Sequence, residues 1–113
     1  MFRVKRVYEA PAKEDGCRVL VDRLWPRGLT KEKASIDEWL KEIAPSDALR
    51  KWFAHDPAKW PAFRKKYAAE LRQNKEWAGK LKMLEKRHKV VMLLFGAKDI
   101  ARNNAVALKE FLG

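Results

Sequence analysis

The stretch that decides the fold is Val90-Val91-Met92-Leu93-Leu94-Phe95, an uninterrupted apolar run between Lys89 and Gly96. A run of this length predicts a strand, from Lys89 to Phe95, that is buried on both faces. Strands buried on both faces occur mainly in parallel sheets covered by helices. Because ligands of open parallel sheets bind outside the carboxyl ends of the strands, the residues after Phe95 are the first place to search for a site.

Two earlier segments complete the predicted sheet. Phe2 to Tyr8 alternates apolar and basic residues, which is typical of a strand with one buried face. Cys17 to Asp22 is a second, more apolar strand, and Asp15-Gly16 in front of it predicts a turn. Ile36 to Ile43 has apolar residues at helical spacing but is short enough for a strand, so both alternatives stay open.

Helices are predicted over most of the remaining chain. Ser46 is placed to cap a short helix that runs to about His55, and Asp56 is placed to cap the next helix, with Pro57 in its first turn. Inner-face stripes at helical spacing mark three helices: Trp60, Phe63, Tyr67 and Leu71; Trp77, Leu81, Leu84 and His88; and Ile100, Ala107, Leu108, Phe111 and Leu112. The whole chain, 1–113, is therefore predicted to be a single compact α/β domain, a small, mostly parallel sheet of three to four strands covered by helices.

Composition excludes several classes of protein. The 113 residues are 47% hydrophobic and carry a formal charge of +11, which fits one folded, strongly basic domain rather than a disordered chain. The longest apolar run is far shorter than the roughly 20 residues of a membrane span, and the first residues lack the apolar core of a secretory signal. A single cysteine cannot form an internal disulfide, and with only two histidines it cannot form the usual zinc site. We expect a cytoplasmic protein without cofactor, metal or membrane contact; oligomeric state is not predicted.

The positive charge is concentrated in the second half of the chain. Through Asp56 there are 12 basic and 10 acidic residues, whereas the rest of the chain has 14 basic and 5 acidic residues. Such asymmetry indicates an anionic partner. A lysine face of one predicted helix could lie along a phosphate backbone, although amphipathic helices ordinarily have charged outer faces. Its residues are Lys75, Lys82, Lys86 and Lys89.

The first strand-end loop, 22–28, is the best candidate site. Arg23 and Arg27 could hold a phosphate or carboxylate, and Trp25 could stack on a base or cation. Asp22 would be the first choice for proton transfer if the protein is an enzyme. In the alternative interpretation, Asp22 pairs with one of the arginines while Trp25-Pro26 fills the core.

The second strand-end loop, 96–104, could meet the first across the edge of the sheet. Lys98 would add a charge for an anion, and Asp99 could be a base or an orienting group, unless it caps the final helix. His55, beside Asp56, is a second candidate for proton transfer, with a structural role as the alternative. Other chemistry-bearing side chains are assigned to packing: Cys17 as a buried apolar residue, His88 as a bonded inner-face residue, and most of the tryptophans as core.

The chain also resembles a known family. Val19-Leu20-Val21-Asp22-Arg23-Leu24-Trp25-Pro26-Arg27-Gly28 is similar to the signature of the YeaO-like branch of a bacterial family, domain of unknown function 488, and the similarity continues through His55-Asp56-Pro57 and Ala97-Lys98-Asp99. The resemblance implies no established activity. In the wider family a cysteine ends the last strand and a Cys-His pair follows, whereas the corresponding positions here are Phe95, Asn103 and Asn104.

Three functional hypotheses follow. The first is an anionic small molecule, a nucleotide or phosphorylated metabolite, bound between loops 22–28 and 96–104, with catalysis left open. The second is a nucleic-acid-binding accessory protein that uses the basic helical surface 59–89. The third is a protein-interaction module with no chemistry.

Overall fold

Four parallel strands form the centre of the protein, which a computed structural model describes from residue 1 to residue 113. The strands are β1 (Phe2–Arg6), β2 (Cys17–Leu20), β3 (Glu38–Trp39) and β4 (Val91–Phe95). Their order across the sheet is β1-β4-β2-β3, and every neighbouring pair is parallel. The predicted α/β class and the small parallel sheet are confirmed.

Strand β4 lies in the interior of the sheet, as its apolar sequence predicts. Val91 is aligned with Phe2 of β1 on one side and with Cys17 of β2 on the other. All five residues of β4 are buried. Because each of its faces is covered, β4 needs apolar side chains at every position rather than at every second one.

Five helices and three short 3-10 turns surround the sheet. The helices are α1 (Lys31–Ala34), α2 (Asp47–Phe53), α3 (Trp60–Gln73), α4 (Lys75–His88) and α5 (Asn104–Leu112). Lys13–Asp15, Lys41–Ile43 and Pro57–Lys59 are the 3-10 turns. The Ser46 hydroxyl accepts a hydrogen bond from the Leu49 amide, and the Asp56 carboxylate accepts one from the Ala58 amide. The Ser46 cap is confirmed, whereas Asp56 caps the 3-10 turn that precedes α3, and α3 itself has no side-chain cap.

The core consists of two clusters that the strand residues enter alternately. Leu93 of β4 and Val19 of β2 belong to the larger cluster, which also contains residues of α2 to α5. Leu94 and Leu20, one position further along, belong to the smaller cluster, against which Trp25 packs. This alternation is the consequence of side chains pointing to opposite faces of a strand. No helix combines the length and the apolar character needed to cross a bilayer.

The undecided segment from Ile36 to Ile43 contains both kinds of structure. Glu38–Trp39 pairs with Val19 and Leu20 as the edge strand β3, and Lys41–Ile43 forms a 3-10 turn. The Leu40 amide donates to the Leu20 carbonyl oxygen, so the sheet contact ends just before the turn.

Several packing predictions are wrong. Ile100 is 68% exposed, because α5 begins only at Asn104, where the Asn103 side chain accepts a hydrogen bond from the Val106 amide. His88, in the last turn of α4, is exposed rather than on an inner face. Of the five tryptophans, Trp39 and Trp52 are exposed, whereas the other three are half-buried and pack against the core, as predicted for most of them.

A buried ionic cluster joins β1 to the start of β2. The Asp15 carboxylate is bonded to the Lys5 ammonium, the Arg18 guanidinium and the Ala12 amide. Asp15 and Arg18 are 3% and 4% exposed, and Arg18 donates further bonds to the carbonyl oxygens of Ala34 and Ser35. The cluster thus fixes the entry to β2 relative to three other segments of the chain.

Gly16 follows this cluster and has to be glycine. Its φ is 68°, in the left-handed region, and a Cβ there would lie 2.3 Å from the carbonyl oxygen of Val90. The close approach lets the Cys17 amide donate to that oxygen, which starts the pairing of β2 with β4.

Cys17 is expected to be unreactive in the folded protein. The side chain is a buried free thiol, as predicted, and burial together with the charges of Asp37 and Glu38 raises its pKa to about 11. At pH 8 the thiolate fraction is therefore on the order of 0.1%. A disulfide reagent should react with native protein at least about 100-fold more slowly than with protein in 6 M guanidinium chloride. Complete reaction of the native thiol within the first minute would contradict this expectation.

Candidate functional site

A cavity of about 440 Å³ opens at the carboxyl ends of β2 and β4. This is the edge at which parallel α/β sheets commonly bind ligands. The cavity is bounded by residues after β2, the segment before α2, the end of α2, residues after β4 and the start of α5. Its lining residues are Asp22, Arg23, Leu24, Ala44, Pro45, Arg50, Lys51, Phe53, Ala54, His55, Phe63, Gly96, Ala97, Asn103 and Asn104.

Asp22 ties the two strand-end loops together. One of its carboxylate oxygens accepts a hydrogen bond from the Gly96 amide at 2.8 Å, and the other accepts one from the Asn104 side-chain amide at 2.9 Å. The same Asn104 nitrogen donates to the Val21 carbonyl oxygen. On the other side, the Trp39 indole N–H donates to the Asp22 carbonyl oxygen at 2.7 Å. The two predicted loops therefore meet, because the Asp22 carboxylate of the first loop bonds Gly96 and Asn104 of the second.

The environment of Asp22 favours its neutral form more than water does. Burial raises the pKa of this carboxyl, and the hydrogen bonds from Asn104 and Gly96 and the charge of His55 lower it by less, so the net shift is upward. His55 and Asp22 line the same cavity. These two predicted proton-transfer residues are brought into one site.

Basic side chains surround the opening of the cavity. Arg23 is anchored by hydrogen bonds to the carbonyl oxygens of Ala44 and Pro45, both at 3.3 Å. Arg50 and Lys51 reach the cavity from α2, and both are exposed. His55 follows Ala54 at the end of α2, and both residues have left-handed φ angles, 57° and 45°, a backbone conformation that is uncommon for non-glycine residues.

Aromatic packing fixes the end of α2 beside the sheet. Phe53 of α2 stacks on Phe63 of α3 with ring centroids 4.3 Å apart, and both side chains are buried. Arg50 and Lys51 lie just before Phe53 in α2. Because the stacking contact holds this end of the helix, it also positions these two basic residues. Sequence reasoning missed both residues, since they look like an ordinary solvated helix face.

Four of the predicted binding residues do not line the cavity. The Trp25 indole donates to the Leu29 carbonyl oxygen within its own loop and packs edge-on against Trp39. Arg27 and Lys98 are exposed side chains that lie outside the cavity lining. Asp99 accepts hydrogen bonds from the Ala101 and Arg102 amides, which lower its pKa, and it does not cap the final helix, contrary to the alternative offered for it.

The positions of the wider family's cysteines and histidine have structural roles in this chain. Phe95 is 1% exposed in the core. Asn103 is the N-cap of α5 and is buried, and Asn104 holds Asp22. In the sequence, Asn103 and Asn104 are singled out because they stand where the wider family has a cysteine and a histidine.

The predicted lysine face, on α4 and the residue after it, does not line the cavity. Lys75, Lys82, Lys86 and Lys89 are exposed, yet the Lys82 ammonium donates to the Leu112 carbonyl oxygen at 2.6 Å. Other bases of the 59–89 surface are paired, Arg64 with Glu110 and Lys80 with Glu38.

The side chains that line the cavity limit its chemistry. None of them is serine, threonine, cysteine or tyrosine, so the usual hydroxyl and thiol nucleophiles are missing from the wall. The structure also brings together no group of three His, Cys, Asp or Glu side chains that could hold a metal ion.

The chain is similar to a protein family and to several proteins that are named as uncharacterised. Residues 1–113 match a family described as the inactive DUF488-N3 subclade. The chain is 43% identical over 111 residues to "Uncharacterized protein YeaO" of Escherichia coli (strain K12), covering 98% of this chain and 96% of that protein. It is 39% identical over 110 residues to "Uncharacterized protein Rv3073c" of Mycobacterium tuberculosis, covering 97% and 92%. No solved structure matches.

Proposed function

The chain belongs to the inactive DUF488-N3 subclade, and from this premise we propose that it binds an anionic small molecule, a nucleotide or phosphorylated metabolite, without converting it. The binding site is the cavity between β2, β4 and the end of α2. The cytoplasmic location predicted from the sequence would give the site access to such metabolites.

The observation that carries the proposal is the charge balance of the cavity wall. Arg23, Arg50 and Lys51 are cationic, whereas Asp22 is the one carboxylate in the lining. Both Asp22 oxygens already accept hydrogen bonds from the protein. Asp47, at the start of α2 and outside the lining, lies 3.7 Å from Arg23 and 3.5 Å from Arg50, but its side chain is exposed, so solvent screens both ion pairs. An anion entering the cavity therefore meets three cations, two of them shared with Asp47, and arginine forks suit phosphate geometry. A volume of about 440 Å³ lies in the usual range of small-molecule sites.

Three observations favour binding without turnover. The wall offers no hydroxyl or thiol nucleophile. The predicted acid or base Asp22 holds the loops in place through both of its oxygens, which is a positioning role. At the positions where the resemblance implies thiol and imidazole groups, Asn103 and Asn104 support the fold instead. The description of the family as inactive agrees with these features.

Calorimetric titration with pyrophosphate tests the proposal. Replacing Arg50 and Lys51 together by alanine should weaken binding at least about tenfold, because two of three cations are lost. The matched control replaces Lys75 and Lys86, two exposed residues of α4, and changes the net charge equally. That control should bind pyrophosphate within about twofold of wild type. Wild-type protein that fails to bind, or equal losses in both variants, would overturn the proposal.

The basic surface 59–89 is the second candidate, a nucleic-acid interface. Three exposed lysines support it, Lys75 and Lys86 of α4 and Lys89 just after it, while the bonded Lys82 ammonium weakens the predicted stripe. Duplex DNA titrated against the same two variants distinguishes the candidates. Loss of salt-sensitive binding in the Lys75 and Lys86 variant alone would favour this surface. The third hypothesis, an interaction module, would be favoured by a stable protein complex together with two negative titrations.

A further inference from the structure

A second cavity adjoins the first and has a different chemical character. It is about 270 Å³ in volume and shares Arg23 and Ala44 with the first cavity. The remaining wall comes from the segment before α2 and from the junction of α3 and α4. The wall residues on which the argument depends are Glu42, Glu70, Gln73, Asn74 and Trp77.

The charged side chains that line the first cavity are mainly basic, whereas those that line the second are mainly acidic. The first cavity has Arg23, Arg50 and Lys51 against Asp22, whereas the second has Glu42 and Glu70 against Arg23 alone. A ligand that extends through both would place its anionic group in the first and a neutral, hydrogen-bond-donating part in the second. Arg23, which lines both, would contact the ligand where the two parts join.

The second cavity offers groups suited to a nucleoside. Trp77 is half-buried and packs against the main core, so its indole is held in place by the fold. Stacking of a base on an aromatic side chain contributes about 1–3 kcal/mol. Gln73 and Asn74 lie at the break between α3 and α4 and supply amides for a base edge, and Glu42 can accept hydrogen bonds from sugar hydroxyls. Both oxygens of Glu70 are already bonded to Ser46.

We propose that the anionic ligand is a nucleotide whose phosphates lie in the first cavity and whose nucleoside lies in the second, with its base against Trp77. The inference rests on the proposed function, since it uses the same phosphate site. It goes further by assigning the chemical class of the rest of the ligand and the residues that recognise it.

The experiment compares nucleoside diphosphates with pyrophosphate by calorimetric titration. ADP, GDP, CDP and UDP are each titrated into wild-type protein, and at least one should bind at least about tenfold more tightly than pyrophosphate because of the stacking contribution. Trp77→Leu should remove this advantage and leave pyrophosphate binding within about twofold. The matched control is Trp52→Leu, which removes an exposed indole that lies in neither cavity.

If Trp77→Leu does not fold, a second variant tests the same nucleoside site. Gln73→Ala combined with Asn74→Ala changes only exposed side chains and should weaken the best nucleotide but not pyrophosphate. Pyrophosphate binding with no nucleotide advantage would overturn this inference and leave the proposed function standing. Absence of binding by any of these compounds would overturn both. Equal loss of nucleotide and pyrophosphate in the Trp77 and Gln73-Asn74 variants would also overturn the inference.

Discussion

Replacing Asp15 by asparagine is expected to lower the free energy of unfolding at pH 7 by about 3–5 kcal/mol, the usual consequence of removing one partner from a buried ion pair. The change keeps the shape of the side chain but leaves the Arg18 guanidinium, 4% exposed, and the Lys5 ammonium without a counter-charge. Denaturant unfolding followed by circular dichroism measures the effect. For a domain whose total stability is on the order of 5–15 kcal/mol, this loss is large.

The control is the same chemical change at an exposed pair. Glu110 and Arg64 are 2.7 Å apart, and each side chain is nearly half exposed. Glu110→Gln should therefore change the stability by less than about 1 kcal/mol. A similar value for Asp15→Asn would show that the buried cluster does not hold β1 and β2 together.

The Asp15 cluster also predicts a dependence on pH. Burial raises the pKa of Asp15, but the hydrogen bonds from the Ala12 amide, Lys5 and Arg18 outweigh it, so the net pKa lies below its ordinary value. The stabilisation is therefore present above the unfolded pKa, near 4, and is lost as the pH falls through the lower folded value. Wild-type stability should decline below pH 4 more steeply than that of Asp15→Asn.

The second large effect is expected for Asn104→Asp, which changes the side chain that donates a hydrogen bond to the Asp22 carboxylate. The new carboxylate would replace the amide that donates to Asp22 at 2.9 Å and to the Val21 carbonyl oxygen. Two carboxylates at this distance cannot both ionise without strong repulsion, so one pKa is driven upward. We expect a loss of about 3 kcal/mol in unfolding free energy at pH 8.

The sign of the pH dependence separates this effect from a general packing defect. A carboxyl pKa that is higher in the folded state makes the folded protein bind more protons, so stability falls as the pH rises through the folded value. Asn104→Asp should therefore recover stability between pH 8 and pH 5. Asn74→Asp, the same change at an exposed position, should show neither the loss nor the recovery. A loss in Asn104→Asp that is independent of pH would contradict the assigned role of Asn104.

Features that depend on local chemistry could be predicted from the sequence. The apolar run from Val90 to Phe95 defines β4 without reference to any other segment, because a strand buried on both faces needs apolar residues throughout. Ser46 and Asp56 cap the turns that follow them, since each bonds an amide two or three residues away. Asp22 and Arg23 could be placed at the cavity because Asp22 ends a predicted strand and Arg23 follows it.

Features that depend on contacts distant in sequence could not be predicted. Arg50 and Lys51 stand at the cavity because Phe53 stacks on Phe63 of another helix. The predictions for Trp25 and Asp99 are wrong for a different, local reason: each side chain bonds a backbone group of its own loop, Trp25 the Leu29 carbonyl oxygen and Asp99 the amides that follow it, instead of lining the cavity. The wrong prediction for Ile100 has a similar cause, since Asn103 starts α5 later than the apolar pattern indicates.

The most direct measurement of the central claim is a map of the anion site on the folded protein. Amide proton–nitrogen correlation spectra of isotopically labelled protein, recorded during titration with pyrophosphate, report which residues surround the bound anion. The largest shifts should fall on the cavity wall, at the amides of Arg23, Lys51, His55 and Gly96. Shifts confined to residues 75–89, in α4 and its C-cap, or no saturable shift at any amide, would contradict the assignment of this cavity as the binding site.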